Sequence, residues 1–203
     1  QEDARQDMVL NVLFVWAAQN QAEGGYRQGM HEVVAFIVFV LECELDFVTS
    51  DSSNGDSSTS TSTSGSGTAL STKIRNKLAQ SKADKELLEA HTFTIFDRIM
   101  CQGELKNMYD PKHAEIVVGF CNNAQNSRLR DLDERVVQCL AECEVEANIY
   151  GMRWVRLLFG REFAFQQTLT LWDHLFSTFS VKSTTFLKGV EDVMVAMLLH
   201  LRS

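Results

Sequence analysis

The residues Tyr26-Arg27-Gln28-Gly29-Met30 lead directly into an apolar stretch from Val33 to Leu41, and this junction decides the fold prediction. The stretch is far shorter than the roughly 20 residues that span a bilayer, so it predicts a helix buried on all sides. Gln28 is therefore expected close to the start of a buried helix. A glycine beside it would leave the carboxamide an open approach.

Helical periodicity continues on both sides of this junction. Residues 3–19 carry an apolar stripe made of Met8, Val9, Val12, Leu13 and Trp16. Further helices are predicted at about 28–44, 83–101, 112–121, 126–145, 149–159, 163–179 and 185–201. The chain has a single proline, Pro111, and no sustained two-residue alternation, which disfavours strands. The sequence predicts an all-α, multi-helix fold in which residues 1–203 form one domain.

The composition changes abruptly between Thr49 and Thr72. This segment consists almost entirely of Ser, Thr, Gly, Asp and Asn. It has too little apolar surface to offset the conformational entropy lost on ordering. We therefore expect a flexible, disordered insertion within the single domain.

Charge and cysteine usage exclude several classes of protein. The formal net charge is −8, which disfavours binding to nucleic acid and to anionic membrane surfaces. The first seven residues are polar and acidic and resemble no secretory signal, so a cytoplasmic protein without membrane insertion is expected. An odd number of cysteines, five, fits a reducing compartment and predicts buried or half-buried free thiols.

Short motifs for metal or nucleotide binding fail on spacing. His31-Glu32 begins like a helical zinc motif, but Ala35 stands where the second histidine is required. Cys139 and Cys143 are four residues apart, yet no second ligand pair accompanies them. Gly65-Ser66-Gly67 lacks the spacing of a phosphate-binding loop. We therefore predict no metal, no cofactor and no nucleotide site belonging to this chain.

Three segments in order resemble the TBC domain, the catalytic domain of activators of Rab GTPases. Tyr26–Met30 matches its Y-x-Q-G-M motif. The segment Tyr150–Phe163 resembles a downstream helix pair, and Leu171-Trp172-Asp173-His174-Leu175-Phe176 resembles its L-W-D-x-L-F signature. Together the resemblance covers most of the chain outside the Ser/Thr-rich segment.

The resemblance implies a role in another protein's GTP hydrolysis. TBC domains insert an arginine and a glutamine into the GTPase, and the glutamine orients the attacking water. Gln28 is the matching position and the predicted catalytic residue, while Tyr26, Gly29 and Met30 are predicted partner-binding residues. Gly29 would let the partner's backbone approach, and Tyr26 would orient the turn. The implied partner is a GTP-bound Rab, with vesicle trafficking as the process and recruitment to endomembranes through the Rab.

Other residues in the two downstream signatures are predicted to have structural roles. In the family such residues support packing and internal ion pairs, and here they are Arg153, Trp154, Arg161, Trp172 and Asp173. An ion pair between Asp173 and one of the arginines is a further expectation.

One departure from the family pattern leaves a second hypothesis open. The arginine motif I-x-x-D-x-x-R, which precedes the glutamine helix in the family, does not occur in this sequence, so the N-terminal part of the domain is expected to be missing. The alternative to an activator is a non-catalytic TBC-like interaction module that binds a small GTPase or trafficking factor. In both cases the protein is not itself an enzyme.

Overall fold

A computed structural model of the protein describes residues 2–52, 84–177 and 184–201. These residues form α-helices joined by short turns, and they contain no strand, which confirms the all-α prediction. The helices are α1 (Glu2–Gln19), α2 (Met30–Ser52), α3 (84–97), α4 (Ala114–Asn123), α5 (Leu129–Leu132), α6 (Glu134–Glu142), α7 (Ala147–Arg156), α8 (Phe165–Ser177) and α9 (Thr184–His200). Two 3-10 segments, Gln21–Glu23 and Leu105–Tyr109, and two π-helical turns, Arg98–Gln102 and Ala124–Arg128, connect them.

The apolar stripe of α1 is buried against α2 and α3, as its periodicity predicts. Val12 and Trp16 are almost fully buried, and Met8 and Leu13 lie beside them. The Trp16 ring meets Phe96 edge-on at 5.4 Å, and its indole N–H donates to the Asp97 carboxylate at 3.2 Å. A buried indole needs such an acceptor, because an unpaired N–H in the core is costly.

Helix α2 is not buried on all sides, so that prediction was wrong. Val33, Val34, Ile37 and Val38 are buried, but Phe39 and Val40 are 39% and 38% exposed. α2 packs on α1 and, through Phe36, on Phe165 and Trp172 of α8. An apolar groove with a volume of about 1310 Å³ lies between α1 and α2. The exposed side chains of Leu10, Phe14 and Phe39 line this groove.

The bounds of α2 also differ from the prediction. The helix begins at Met30 rather than Gln28, and it continues to Ser52. Thr49–Ser52 was predicted as part of the flexible insertion and is helical instead. The rest of the predicted insertion, 53–72, lies outside the described residues.

The single helix predicted at 126–145 is interrupted at Asp133. This residue has extended backbone angles, φ −154° and ψ 94°, and its carboxylate accepts from the backbone N–H groups of Arg135 and Val136. It is thus the N-cap of α6, a position that aspartate favours. The break changes the direction of the chain, so Leu132 is 64% exposed although it stands at helical spacing from Leu129 and Val136.

One charged residue of the same region forms ion pairs with the last helix. Arg128 reaches α9, where it donates to Glu191 at 2.8 Å and also pairs with Asp192. Glu191 is buried, so the ion pair compensates a carboxylate that would otherwise lose its solvation. This contact fastens the second π-helical turn to the last helix.

The cysteine prediction holds only in part. Cys121 is buried and Cys101 is half-buried, but Cys43, Cys139 and Cys143 are exposed. All five are free thiols. Among the described residues, none of the helices combines the length and the apolar character needed to cross a membrane.

Candidate functional site

Gln28 lies in a tight turn immediately before α2. The Met30 N–H donates to the Arg27 carbonyl at 3.2 Å, and the Glu32 N–H donates to the Gly29 carbonyl at 3.0 Å. The Gln28 side chain is exposed, and within the described residues its carboxamide makes no hydrogen bond. The turn therefore presents a neutral group with a donor and an acceptor that are both free to meet a ligand.

Gly29 is buried directly behind Gln28. Its φ is +102°, in the left-handed region, and a Cβ there would lie 3.0 Å from Leu157 Cδ2. The Tyr109 ring edge would lie 3.7 Å away. The structure thus requires glycine for an intramolecular reason, whereas the sequence pointed to the approach of a partner.

Replacing Gly29 with alanine is expected to destabilise the fold by about 1–3 kcal/mol, because a strained backbone angle and a close contact arise together. The measurement is the free energy of unfolding in a denaturant titration. Gly119→Ala is the matched control, since nothing lies within 4 Å of a Cβ at that helical glycine. Equal stability of the two variants would contradict the packing described for Gly29.

A platform formed by Tyr109 and Arg156 supports the turn from below. Burial raises the pKa of the Tyr109 phenol, which stays protonated and donates to the Arg156 carbonyl. The Arg156 side chain packs on the same segment. Its Nε donates to the Met108 carbonyl at 2.8 Å, and its guanidinium carbon lies 5.6 Å from the Tyr109 ring centre. Tyr109 carries no signal in the sequence, because its short 3-10 segment has no helical periodicity.

The turn after α7 completes this support. Leu158 and Phe159 are fully buried and adopt left-handed backbone angles, with φ of 45° and 62°. Each such residue costs on the order of 1–2 kcal/mol, so the surrounding packing must hold the turn in place. The Trp172 indole N–H donates to the Leu158 carbonyl at 2.9 Å, and the Phe159 N–H donates to the Trp154 carbonyl at 2.9 Å.

Polar contacts fix the solvent side of the glutamine turn. The Tyr26 hydroxyl lies 3.0 Å from His31 Nδ1, so this pair spans the turn from one end to the other. Glu32 accepts two hydrogen bonds from the Arg161 guanidinium, at 2.8 and 2.7 Å. The fork joins the first turn of α2 to the segment between α7 and α8. His31, Glu32 and their contacts were not singled out from the sequence as site residues.

The predicted partner-binding residues do not share one surface. Tyr26 is 42% exposed beside Gln28, but Met30 is only 1% exposed and Gly29 is buried. The Met30 sulfur also accepts the Arg27 backbone N–H at 3.3 Å. Met30 therefore supports the turn from inside.

The residues assigned to structural roles occupy supporting positions, with one exception. Trp154 and Trp172 are buried, and Arg153 forms a two-pronged pair with Glu162 at 2.8 and 3.0 Å. Asp173 is exposed. The expected ion pair between Asp173 and an arginine of these signatures is not formed in the described part of the chain, because Arg153 and Arg161 bind other carboxylates.

The described residues offer no obvious place for a metal ion. Residues 2–52, 84–177 and 184–201 contain no group of three or more His, Cys, Asp or Glu side chains that could hold a metal ion.

Comparison with known proteins identifies the family. The Rab-GTPase-TBC domain matches residues 1–190. The chain belongs to the Rab-GTPase-TBC domain family. This confirms the family resemblance seen in the three sequence signatures.

Relatives of this TBC domain chain come from several organisms. Human TBC1 domain family member 5 is 32% identical over 224 residues, which cover 100% of this chain and 25% of the relative. TBC1 domain family member 5 homolog B of Dictyostelium discoideum is 43% identical over 61 residues, 30% of this chain and 6% of the relative. Mouse TBC1 domain family member 13 is 22% identical over 175 residues, 86% of this chain and 35% of the relative.

The chain spans about a quarter of the length of the TBC1 domain family member 5 proteins that it matches. No solved structure gives a significant match.

Proposed function

We propose that this protein is a GTPase-activating protein for a Rab-type small GTPase and that Gln28 is its glutamine finger. Membership of the Rab-GTPase-TBC family supports the activity. The observation that carries the residue assignment is the exposed carboxamide of Gln28 on a turn held from behind by Tyr109 and Leu157. The partner is the GTP-bound form of the Rab, and the process is vesicle trafficking, with the protein cytoplasmic and recruited to endomembranes by its partner.

The proposed chemistry follows from the two requirements that limit the rate of GTP hydrolysis by a small GTPase. Its attacking water must be oriented, and the charge that develops on the γ-phosphate must be stabilised. A carboxamide accepts a hydrogen bond from the water through its oxygen and donates to a phosphate oxygen through its nitrogen, without adding charge. Gln28 would orient the attacking water. An arginine supplied in trans would stabilise the charge on the γ-phosphate, an effect worth about 10³–10⁵ in rate.

The fixed geometry of the turn explains why the site would act efficiently. A backbone that is already ordered loses little freedom when the partner docks, so more of the binding energy remains for the transition state. The Glu32–Arg161 pair and the buried Gly29 hold this backbone. Tyr26 lies beside Gln28 on the exposed side and would contact the partner.

The test is single-turnover GTP hydrolysis by a panel of GTP-loaded Rab proteins, with and without the full-length protein. We expect acceleration of at least one Rab by about 10³-fold or more, as for other trans-acting activators. A binding measurement on the same preparations separates the alternatives. Binding without acceleration across the whole panel would contradict the activator and favour the interaction module.

A further inference from the structure

We propose that His31 is a positioning residue for Gln28, acting through Tyr26; this rests on the proposed function. The two residues flank the turn, one before and one after the glutamine, and both line the groove between α1 and α2. Tyr26 Oη lies 3.0 Å from His31 Nδ1, and the two ring centres are 6.3 Å apart. Neither residue needs to touch the nucleotide for this role.

The direction of the hydrogen bond follows from the neighbours of His31. Its Nε2 lies 4.0 Å from Glu32 Oε1, so the imidazole proton is favoured on Nε2, facing the carboxylate. Nδ1 is then the acceptor, and the Tyr26 hydroxyl donates to it. The Tyr26 ring is thereby held against the start of α2.

Glu32 is itself fixed by a second contact. The Arg161 guanidinium donates two hydrogen bonds to its carboxylate. A continuous polar chain thus runs from Arg161 through Glu32 and His31 to Tyr26, although the His31–Glu32 step at 4.0 Å is an electrostatic contact rather than a hydrogen bond. This chain fixes the outer side of the turn, while Gly29 fixes the inner side.

Tyr26 remains 42% exposed in this arrangement, so the contact is made at the surface where a partner would dock. Loss of the hydrogen bond between Tyr26 and His31 would let the Tyr26 ring rotate, and the backbone of the turn between these two residues would become more mobile. The Gln28 carboxamide would then spend less time in the orientation that acts on the water. Binding of the partner, which involves a wider surface, would change little.

Three substitutions at His31 separate positioning from general packing. Asparagine places its Oδ1 close to the position of Nδ1 and keeps the acceptor. Glutamine moves the amide one bond further along, and alanine removes it. In the GTP-hydrolysis assay we expect His31→Ala and His31→Gln to lower kcat by about 3- to 10-fold, the size of one neutral hydrogen bond, with KM within about twofold.

His31→Asn is expected to retain the kcat of the natural protein. Tyr26→Phe should lower kcat as much as His31→Ala, and the double variant should lower it no further, because both changes remove the same contact. His91→Asn, at an exposed histidine of α3, is the matched control. Equal kcat for all three His31 variants, or a change in KM alone, would overturn the proposal.

A second measurement does not depend on a Rab. Hydrogen–deuterium exchange of the peptide covering residues 24–34 in the full-length protein reports the opening of the turn. We expect this peptide to exchange faster in His31→Ala and Tyr26→Phe than in the natural protein. In His31→Asn we expect the exchange rate of the natural protein. Unchanged exchange in the alanine variant would overturn the positioning role. Failure of the natural protein to accelerate any Rab would instead contradict the proposed function, and the exchange data would still decide the role of His31.

Discussion

Replacing Gln28 with alanine is expected to lower the acceleration of GTP hydrolysis by about 10²–10³-fold, the loss seen when one preorganised hydrogen-bonding group is removed from a transition state. The change removes the carboxamide but leaves the turn, because Gly29, Tyr109 and Leu157 hold the backbone without the help of this side chain. The measurement is single-turnover hydrolysis with the Rab that responds best to the natural protein.

The expected pattern is a fall in kcat with little change in KM, since an exposed side chain that acts mainly on the transition state contributes little to docking. Gln138→Ala, at an exposed glutamine of α6, is the matched control and should keep full activity. Full activity of the Gln28→Ala protein would refute the assignment of this residue. A parallel rise in KM would show that Gln28 is a docking residue rather than a water-orienting one.

Truncating Trp172 is expected to have the largest effect on stability. The side chain is 4% exposed and packs against Phe36 and Phe176, at ring distances of 5.1 and 5.5 Å. Trp172→Ala removes these contacts and should lower the free energy of unfolding by about 3–5 kcal/mol. Denaturant titration followed by circular dichroism measures the loss.

A second consequence follows from the indole N–H. It donates a hydrogen bond to the carbonyl of Leu158, which lies in the strained turn behind Gly29. Trp172→Phe keeps most of the apolar volume but leaves that carbonyl without this donor, at a cost of about 1–3 kcal/mol. The phenylalanine variant should therefore fall between the natural protein and the alanine variant. If it were as stable as the natural protein, the hydrogen bond would contribute nothing to the turn.

Periodic features of the fold could be predicted from the sequence. The α1 stripe and most helix positions follow from the spacing of apolar residues, which burial in one core enforces. The break at Asp133 was not predicted. Aspartate is a favoured N-cap residue, because its carboxylate accepts hydrogen bonds from backbone N–H groups two and three residues later. Within an otherwise helical pattern, the charged residues around Asp133 resemble an ordinary solvated face.

The candidate site could be predicted only in part. A motif marks Gln28 as a candidate, and in the structure its side chain is exposed. The groups that hold it come from distant parts of the chain: Arg161 is 129 residues from Glu32. Such pairings depend on how the helices pack, and a single sequence carries no periodic signal for them. For the same reason the sequence gives no sign that Leu157 packs against Gly29, and the partner-binding role of this glycine stays a prediction.

The strained turn of Leu158 and Phe159 has a thermodynamic consequence for the proposed docking of a GTPase. Holding two left-handed residues reduces the net stability of the fold, and this cost arises once, when the chain folds. An encounter with the proposed partner would then start from an ordered backbone. Recognition by the Gln28 turn is thus expected to resemble the docking of two preformed surfaces, with little of the entropy penalty that accompanies folding on binding.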